Sequence, residues 1–332
     1  MPHWQVSKSG SEYMAVANCM IKKDTNPDPI VERLWNAYQK FKSFDYSQSP
    51  QSPARNLIEE KWLPERIPFV EQVSTAVTDI SKGAYNKVVL SRATDLKFDI
   101  PCEPLKVLGN LRRSYQNCYL FSFQNNSAES FIGATPERLI ATTENRLLTE
   151  ALAGSEPRGK TPSEDAKLAS SLLSSDKDLR EHQHVVESIQ KRLRSLGIDI
   201  NELPPVELLS LPNVQHLKTR IEAPLPEHCH LFDLLEVLHP TPAVGGSPRK
   251  NALEAIDSLE SHQRGLYTGF VGWVGPSGGG EAVVVLRTAL IQKNFARIFA
   301  GAGIVEGSNP NKEAREIDHK MEALLSAMKI NQ

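Results

Sequence analysis

The chain has 332 residues, 40% of them hydrophobic and 23% charged, so it can bury a large core as one big domain or two ordinary ones. A formal net charge of −2 and an isoelectric point near 6.5 exclude the broad positive field that holds a polyanion, and nucleic acid is not an expected partner. The four cysteines, Cys19, Cys102, Cys118 and Cys229, form no Cys-x-x-Cys pair and read as buried packing residues of a reducing compartment. No run reaches the roughly 18 apolar residues of a membrane span, and Met1-Pro2-His3-Trp4-Gln5 lacks a signal pattern, so a cytoplasmic location is expected.

In chain order, Tyr13 to Ala17 reads as a strand, and Ile30, Leu34, Tyr38 and Phe41 recur at helical spacing. The polar run from Ser47 to Pro53 reads as a surface loop. Phe69 to Lys82 is expected to be helical, and Val88-Val89-Leu90 marks a buried strand beginning at Lys87. Further strands are expected at Tyr119 to Phe123, at Phe131 to Gly133, and in a hairpin around Thr143-Glu144-Asn145. Residues 163 to 196 switch to helical spacing, with Val185, Val186, Ile189, Leu193 and Leu196 in one stripe and Gly197 placed to end it. Ser175 and Asp178 have the spacing of a capping box that starts the second half. Gly269 to Val274, Ala282 to Ile291 and Ala296 to Val305 read as a three-stranded meander. A last helix follows, with Asn309 as cap, Pro310 as first residue and an apolar stripe from Ile317 to Met328. Strand runs mixed with helices, without regular alternation, predict an α+β fold with large antiparallel sheets.

On the last helix Glu313, Glu316 and Lys320 share one face, which taken alone is a solvated salt-bridge face. Asp178 and Glu181 repeat the acidic spacing on another helix; if the two helices faced each other, the oxygen-only set would suit Mg²⁺. His182 and His184 lack zinc-ligand spacing and read as surface histidines. Arg287, inside the apolar run Val283 to Leu290, lies either on a wet face or against an anion in a cavity, since an unpaired charge in a core costs several kcal/mol. Gly301-Ala302-Gly303 at a strand end leaves room for close approach of a ligand or another chain. The glycine-rich stretches match no nucleotide-binding pattern.

Five segments in order, Lys87 to Arg92, Ile132 to Glu137, Leu152 to Ser155, His239 to Gly246, and Ala300 through Lys320, resemble the chorismate-utilising enzymes, the anthranilate synthase component I-like family. The resemblance covers residues 70 to 330. It implies antiparallel sheets packed as a sandwich with helices outside. Residues 1–70 are read as a remnant of the family's N-terminal sheet region and 71–330 as one chorismate-binding catalytic domain.

In this family a lysine at the position of Lys87 goes with water, not ammonia, as nucleophile. That disfavours anthranilate and aminodeoxychorismate synthases. The resemblance therefore implies an isomerase, an isochorismate synthase of quinone or siderophore biosynthesis. Lys87, as a neutral amine, would be base to a water attacking C2 of chorismate, and Glu137, protonated, would be acid to the departing C4 hydroxyl. It further implies Mg²⁺ as cofactor, with Glu181 and Glu316 as main ligands and Glu313 and Asp178 beside them. Arg287 would take the enolpyruvyl carboxylate, helped by Tyr267 and the backbone at Gly301. Lys320, Gly154, His216, Thr241 and Ala243 would line the same pocket. A monomer acting on chorismate is expected, with no glutamine amidotransferase subunit. A salicylate synthase and a catalytically silent chorismate-binding homologue are the alternatives.

Overall fold

In the computed structural model residues 4–9, 11–43, 53–125, 127–200 and 202–330 are described. The polar run at 47–53 falls, Pro53 apart, outside them. The chain divides into a unit of residues 1–51 and a unit of residues 52–332. In the first, β1 (Trp4–Ser9) pairs antiparallel with β2 (Glu12–Ala17), followed by α1 (Asp28–Lys42). Asp28 in the first turn of α1 and Lys40 and Lys42 in the last complement its dipole.

The second unit begins with β3 (Leu57–Leu63), α2 (Arg66–Ser81), β4 (Lys87–Phe98), α3 (Pro104–Ser114), β5 (Tyr119–Gln124) and β6 (Ser130–Thr135). Because β3 pairs with β4, this unit's sheet takes in part of the segment before residue 70. Next come β7 (Arg138–Thr142) and β8 (Arg146–Pro157), the hairpin expected around Thr143-Glu144-Asn145. The helical stretch that follows is two helices, α4 (Pro162–Ser174) and α5 (Asp176–Arg194), separated at Ser175, whose side chain caps α5 by accepting from the Asp178 N–H. Then follow β9 (Glu207–Ser210), β10 (Val214–Pro224), α6 (Leu231–Leu238), β11 (Gly246–Ser247) and α7 (Arg249–Leu259). The chain closes with β12 (Phe270–Val274), β13 (Gly280–Val284), β14 (Thr288–Gln292), β15 (Phe295–Val305) and α8 (Pro310–Ala327). Asn309 accepts from the Lys312 N–H and Pro310 opens α8, as its sequence signals require.

The strands of the second unit form two antiparallel sheets, one ordered β12-β13-β7-β8-β10-β9 and the other β11-β4-β15-β14-β6-β5, with β3 flanking β4. Period-two alternation gives each long strand two destinies. Val88, Leu90, Leu96 and Phe98 of β4 and Ala296, Ile298, Ala300, Ala302 and Ile304 of β15 face one core, against buried residues of α2, α3, α7 and α8. The six-stranded sheet packs Leu147, Ala151 and Ala153 of β8 against Val185, Val186, Ile189 and Leu193 of α5 and against α6. Ala93, Phe131 and Phe299, on the other face of the seven-stranded sheet, meet Tyr267, Val285, Val271 and Leu286. The arrangement is the expected α+β one, sheets inside and helices outside.

One expectation fails: the apolar run 282–291 is not the middle strand of a meander. It divides into β13 and β14, which belong to different sheets. The break is at Arg287, whose φ of 49° ends the extended conformation.

Candidate active site

Beside the cluster of Ala93, Phe131 and Phe299, the same sheet face carries residues that are not core formers. On the face of β4 and β15 opposite the first core lie Lys87, Val89, Gly301 and Gly303, and all four line a pocket enclosing about 750 Å³, open solvent included. Buried Lys87 donates to Glu181 Oε1 of α5 at 2.8 Å. Gly303 makes that contact feasible: a Cβ there would stand 2.5 Å from Glu181 Oε1 and 3.1 Å from Lys87 Cε. Burial raises the Glu181 carboxyl, but Lys87, by charge and hydrogen bond, leaves it below the ordinary value.

Two further groups enter where the chain passes from one sheet to the other. Glu137 sits between β6 and β7, its carbonyl accepting from the Val284 N–H and its own N–H donating to Thr135 Oγ1. It is buried, and desolvation pushes its carboxyl up to about 8, Glu150 adding to the rise against Lys87, Lys320 and Arg287. Such a carboxyl holds its proton at neutral pH. Arg287 sits between β13 and β14 and is also buried. Its Nη2 donates to His216 Nε2 at 3.0 Å, and His216 Nδ1 lies 2.8 Å from Ser155 Oγ. Because Nε2 accepts from a guanidinium, the proton of the imidazole belongs on Nδ1. Burial first and the Arg287 charge second hold His216 well below its ordinary value, so it stays neutral. Of the two readings open for Arg287, the structure selects the cavity.

Lys320 of α8 lines the same pocket, donating to the Gly301 carbonyl at 2.9 Å and pairing with Glu316 at 2.6 Å. Gly154, at φ +79°, is the extra residue of a β-bulge: His216 pairs with Ser155 and Leu217 with Ala153, leaving it unopposed. A Cβ there would press within 3.2 Å of Asp178 Cβ and Leu217 Cδ1. Tyr267 stacks on Phe299 at 5.2 Å, and Ala243 completes one wall.

Not every expected residue arrives there. Thr241 is buried but does not line the pocket; its carbonyl accepts from the Val244 and Gly245 N–H groups and so shapes the loop behind the wall. Asp178 and Glu313 line a second, adjoining pocket that shares Ser155 and Glu316 with the first. Burial, then the charge of Glu316, raises Glu313 to about 7, while Lys177 pairs with it at 2.9 Å. Burial raises Asp178 too, with Glu181 and Glu316 adding to the effect and Ser175 opposing it. Four carboxylates therefore converge on two joined pockets, but Lys87, Lys177 and Lys320 engage three of them. Among the described residues no three His, Cys, Asp or Glu side chains are grouped closely enough to hold a metal.

His182 is a correction: it is buried, its Nε2 is 2.7 Å from Thr219 Oγ1, and burial lowers it to about 4. It reads as a packing residue of the helix-sheet interface; His184 is exposed. The cysteines are free, but only Cys102 and Cys229 are buried; Cys118 is half-buried and Cys19 exposed. Ser155, Leu286, Phe299 and Thr268 are pocket residues that sequence reasoning missed. Apolar or small residues on strands carry no chemical signal, and the φ of 63° at Thr268, a strained conformation near a site, is invisible in a sequence.

Known proteins share this arrangement of chain. The chain is 34% identical over 314 residues to the isochorismate synthase MenF of Bacillus subtilis, an alignment covering 94% of this chain and 65% of that protein. It is 39% identical over 280 residues to the salicylate biosynthesis isochorismate synthase of Pseudomonas aeruginosa, covering 84% and 58%. It thus spans less than two thirds of either relative. The structure of MenF, the menaquinone-specific isochorismate synthase of Escherichia coli, superposes with a TM-score of 0.78 at 33% identity, covering 90% of this chain and 69% of that one. The family model described as chorismate binding enzyme matches residues 1–329, and the chain belongs to that family.

Proposed function

We propose that the chain is an isochorismate synthase acting on chorismate with Lys87 as general base and Glu137 as general acid. The observation that carries this is a buried carboxyl that holds its proton at neutral pH, lining the same pocket as a buried lysine amine. In the reaction water adds at C2, the ring double bonds shift, and the C4–O bond breaks. Lys87 receives the proton of the water and Glu137 supplies the proton that turns the C4 hydroxyl into water, so the net change is isomerisation. Each proton transfer is worth about 10²–10⁴-fold in rate. Arg287, held by His216 and its own buried position, faces an anionic substrate group in a forked pair. Lys320 is a second cation on the same wall.

The donor set fits Mg²⁺ in kind. It is all carboxylate, and burial first, then the charge of neighbouring carboxylates, raises Asp178 and Glu313, which supports a place for a cation there. Glu181 and Glu316 would hold the ion, with Glu313 and Asp178 behind them. When bound, the ion would attract the ring carboxylate of the substrate and draw negative charge from Glu181. That matters for Lys87, whose side-chain nitrogen donates to Glu181 at 2.8 Å. Among the described residues no helix is long and apolar enough to cross a membrane.

The test is incubation of the full chain with chorismate and Mg²⁺ and identification of the product. Isochorismate is expected; salicylate with pyruvate would assign the related synthase instead, and no turnover would leave a binding protein. Lys87→Ala is expected to abolish turnover, by at least about 10²-fold, while chorismate still binds by calorimetry. Substantial remaining activity removes Lys87 from its role.

A further inference from the structure

Behind the wall that carries Val244, Tyr267 and Thr268 lies a polar cluster that touches none of the pocket's space. Glu260, just past the end of α7, has a buried side chain that accepts from the Ser91 N–H at 2.7 Å and from Ser91 Oγ at 2.9 Å. Arg264 grips the same carboxylate with a fork, Nε to Oε2 at 2.8 Å and Nη2 to Oε1 at 2.6 Å. Its remaining N–H groups go elsewhere: Nη2 to the Val89 carbonyl at 2.7 Å, Nη1 to the Val244 carbonyl at 2.9 Å and to Thr268 Oγ1 at 3.4 Å. All five donors of the guanidinium are therefore used. Burial disfavours the charge, and Glu260 more than offsets this.

The acceptors belong to three separate segments that line the pocket: the strand two residues beyond Lys87, the loop after Pro242, and the turn after Gly265. Neither Arg264 nor Glu260 lines the pocket. Backbone bonds already join the first two, Val89 N–H to the Gly245 carbonyl at 2.9 Å and β11 to β4; the fork adds the third, the turn that carries Thr268 at positive φ. A planar fork fixes several acceptors in one geometry, which the compact ammonium of a lysine cannot do.

We infer that Arg264, aimed by Glu260, is a positioning residue that sets the Lys87-bearing strand at its working distance from the Val244 and Thr268 segments of the pocket wall. The consequence falls on the rate of the chemical step more than on binding, since Arg287 and Lys320, which the fork does not touch, still hold the substrate. This rests on the proposed reaction for its kinetic arm and on geometry alone for its structural arm.

The experiment compares the wild-type chain with Arg264→Lys and Glu260→Gln by hydrogen exchange and by steady-state kinetics on chorismate with Mg²⁺. Exchange is expected to quicken in residues 87–91, 243–246 and 265–269 and to stay unchanged in α5 and β8. The kcat is expected to fall roughly ten- to a hundredfold with KM little altered, and lysine is not expected to rescue arginine. Unchanged exchange in the three segments overturns the inference. So does a lowered melting temperature with wild-type kcat per folded molecule, the signature of a purely structural fork. Should Arg264→Lys fail to fold, Glu260→Gln, equal in shape and volume, decides alone. A wild type that does not turn over chorismate sinks the proposed reaction, and the exchange arm still decides the fork.

Discussion

Glu137 shows how burial turns an ordinary carboxyl into an acid usable at neutral pH. The group has its ordinary value of 4.5 in the unfolded chain and about 8 in the fold. Between those two values the native state binds the extra proton, so stability falls as pH rises through this window and the loss is complete above about 8. Glu137→Gln removes that dependence: its stability relative to wild type, by urea titration across the window, is expected to grow as pH rises. The same change should lower kcat by about 10²–10⁴-fold. Wild-type kcat is expected to fall as pH rises through about 8. Glu150, whose charge helps to raise Glu137, gives an independent check: Glu150→Gln should move that alkaline limb to lower pH.

At the scale of elements, the helices α5 and α8 and the strands β4 and β15 bring together the charged groups of the cleft. β15 brings Gly303 against the Lys87–Glu181 pair. Gly303→Ala is therefore expected to cost about 1–3 kcal/mol as an overpacking change, and to reduce turnover further because the side chain that must yield is Lys87 or Glu181. Thermal melts and kcat measured together test this; a full-activity variant would mean that the pair can move aside. α8 carries Glu313, Glu316 and Lys320 into the cleft and depends on its cap at Asn309. Asn309→Ala is expected to lose about 1 kcal/mol and Asn309→Gly only a few tenths, read as shifts in the urea midpoint at constant slope.

For the larger unit as a whole, the passages between sheets place the chemistry. Glu137 and Arg287 both lie where a strand of one sheet hands over to a strand of the other, β6 to β7 and β13 to β14. Arg287→Lys keeps the charge but loses the fork and the hold of His216. It is expected to raise KM for chorismate roughly ten- to a hundredfold, the equivalent of about 1.5–3 kcal/mol for a charged hydrogen bond, with little change in melting temperature. An unchanged KM would take Arg287 out of substrate binding.

Much of this was legible in the amino-acid order. Local signals are short-ranged and survive folding: the caps at Ser175 and Asn309, the 3.6-residue stripes of α5 and α8, and the apolar runs Val88 to Leu90 and Ala296 to Val305 all produced the elements they announce. Other features had no local signature. Nothing in Val283 to Leu290 says that two strands of different sheets meet at Arg287, because a break in extended backbone is decided by which sheet each half pairs with. Asp178 and Glu313 have the same spacing as Glu181 and Glu316, yet they line the adjoining pocket, and Thr241 lies behind the wall of the first. The five acceptors of Arg264 are spread from residue 89 to residue 268, a separation no spacing rule spans. Residue type and periodicity determine which groups are available and which face of an element they take. Long-range strand pairing, which closes loops of hundreds of residues, alone decides which of them share a cavity and how far burial shifts their chemistry.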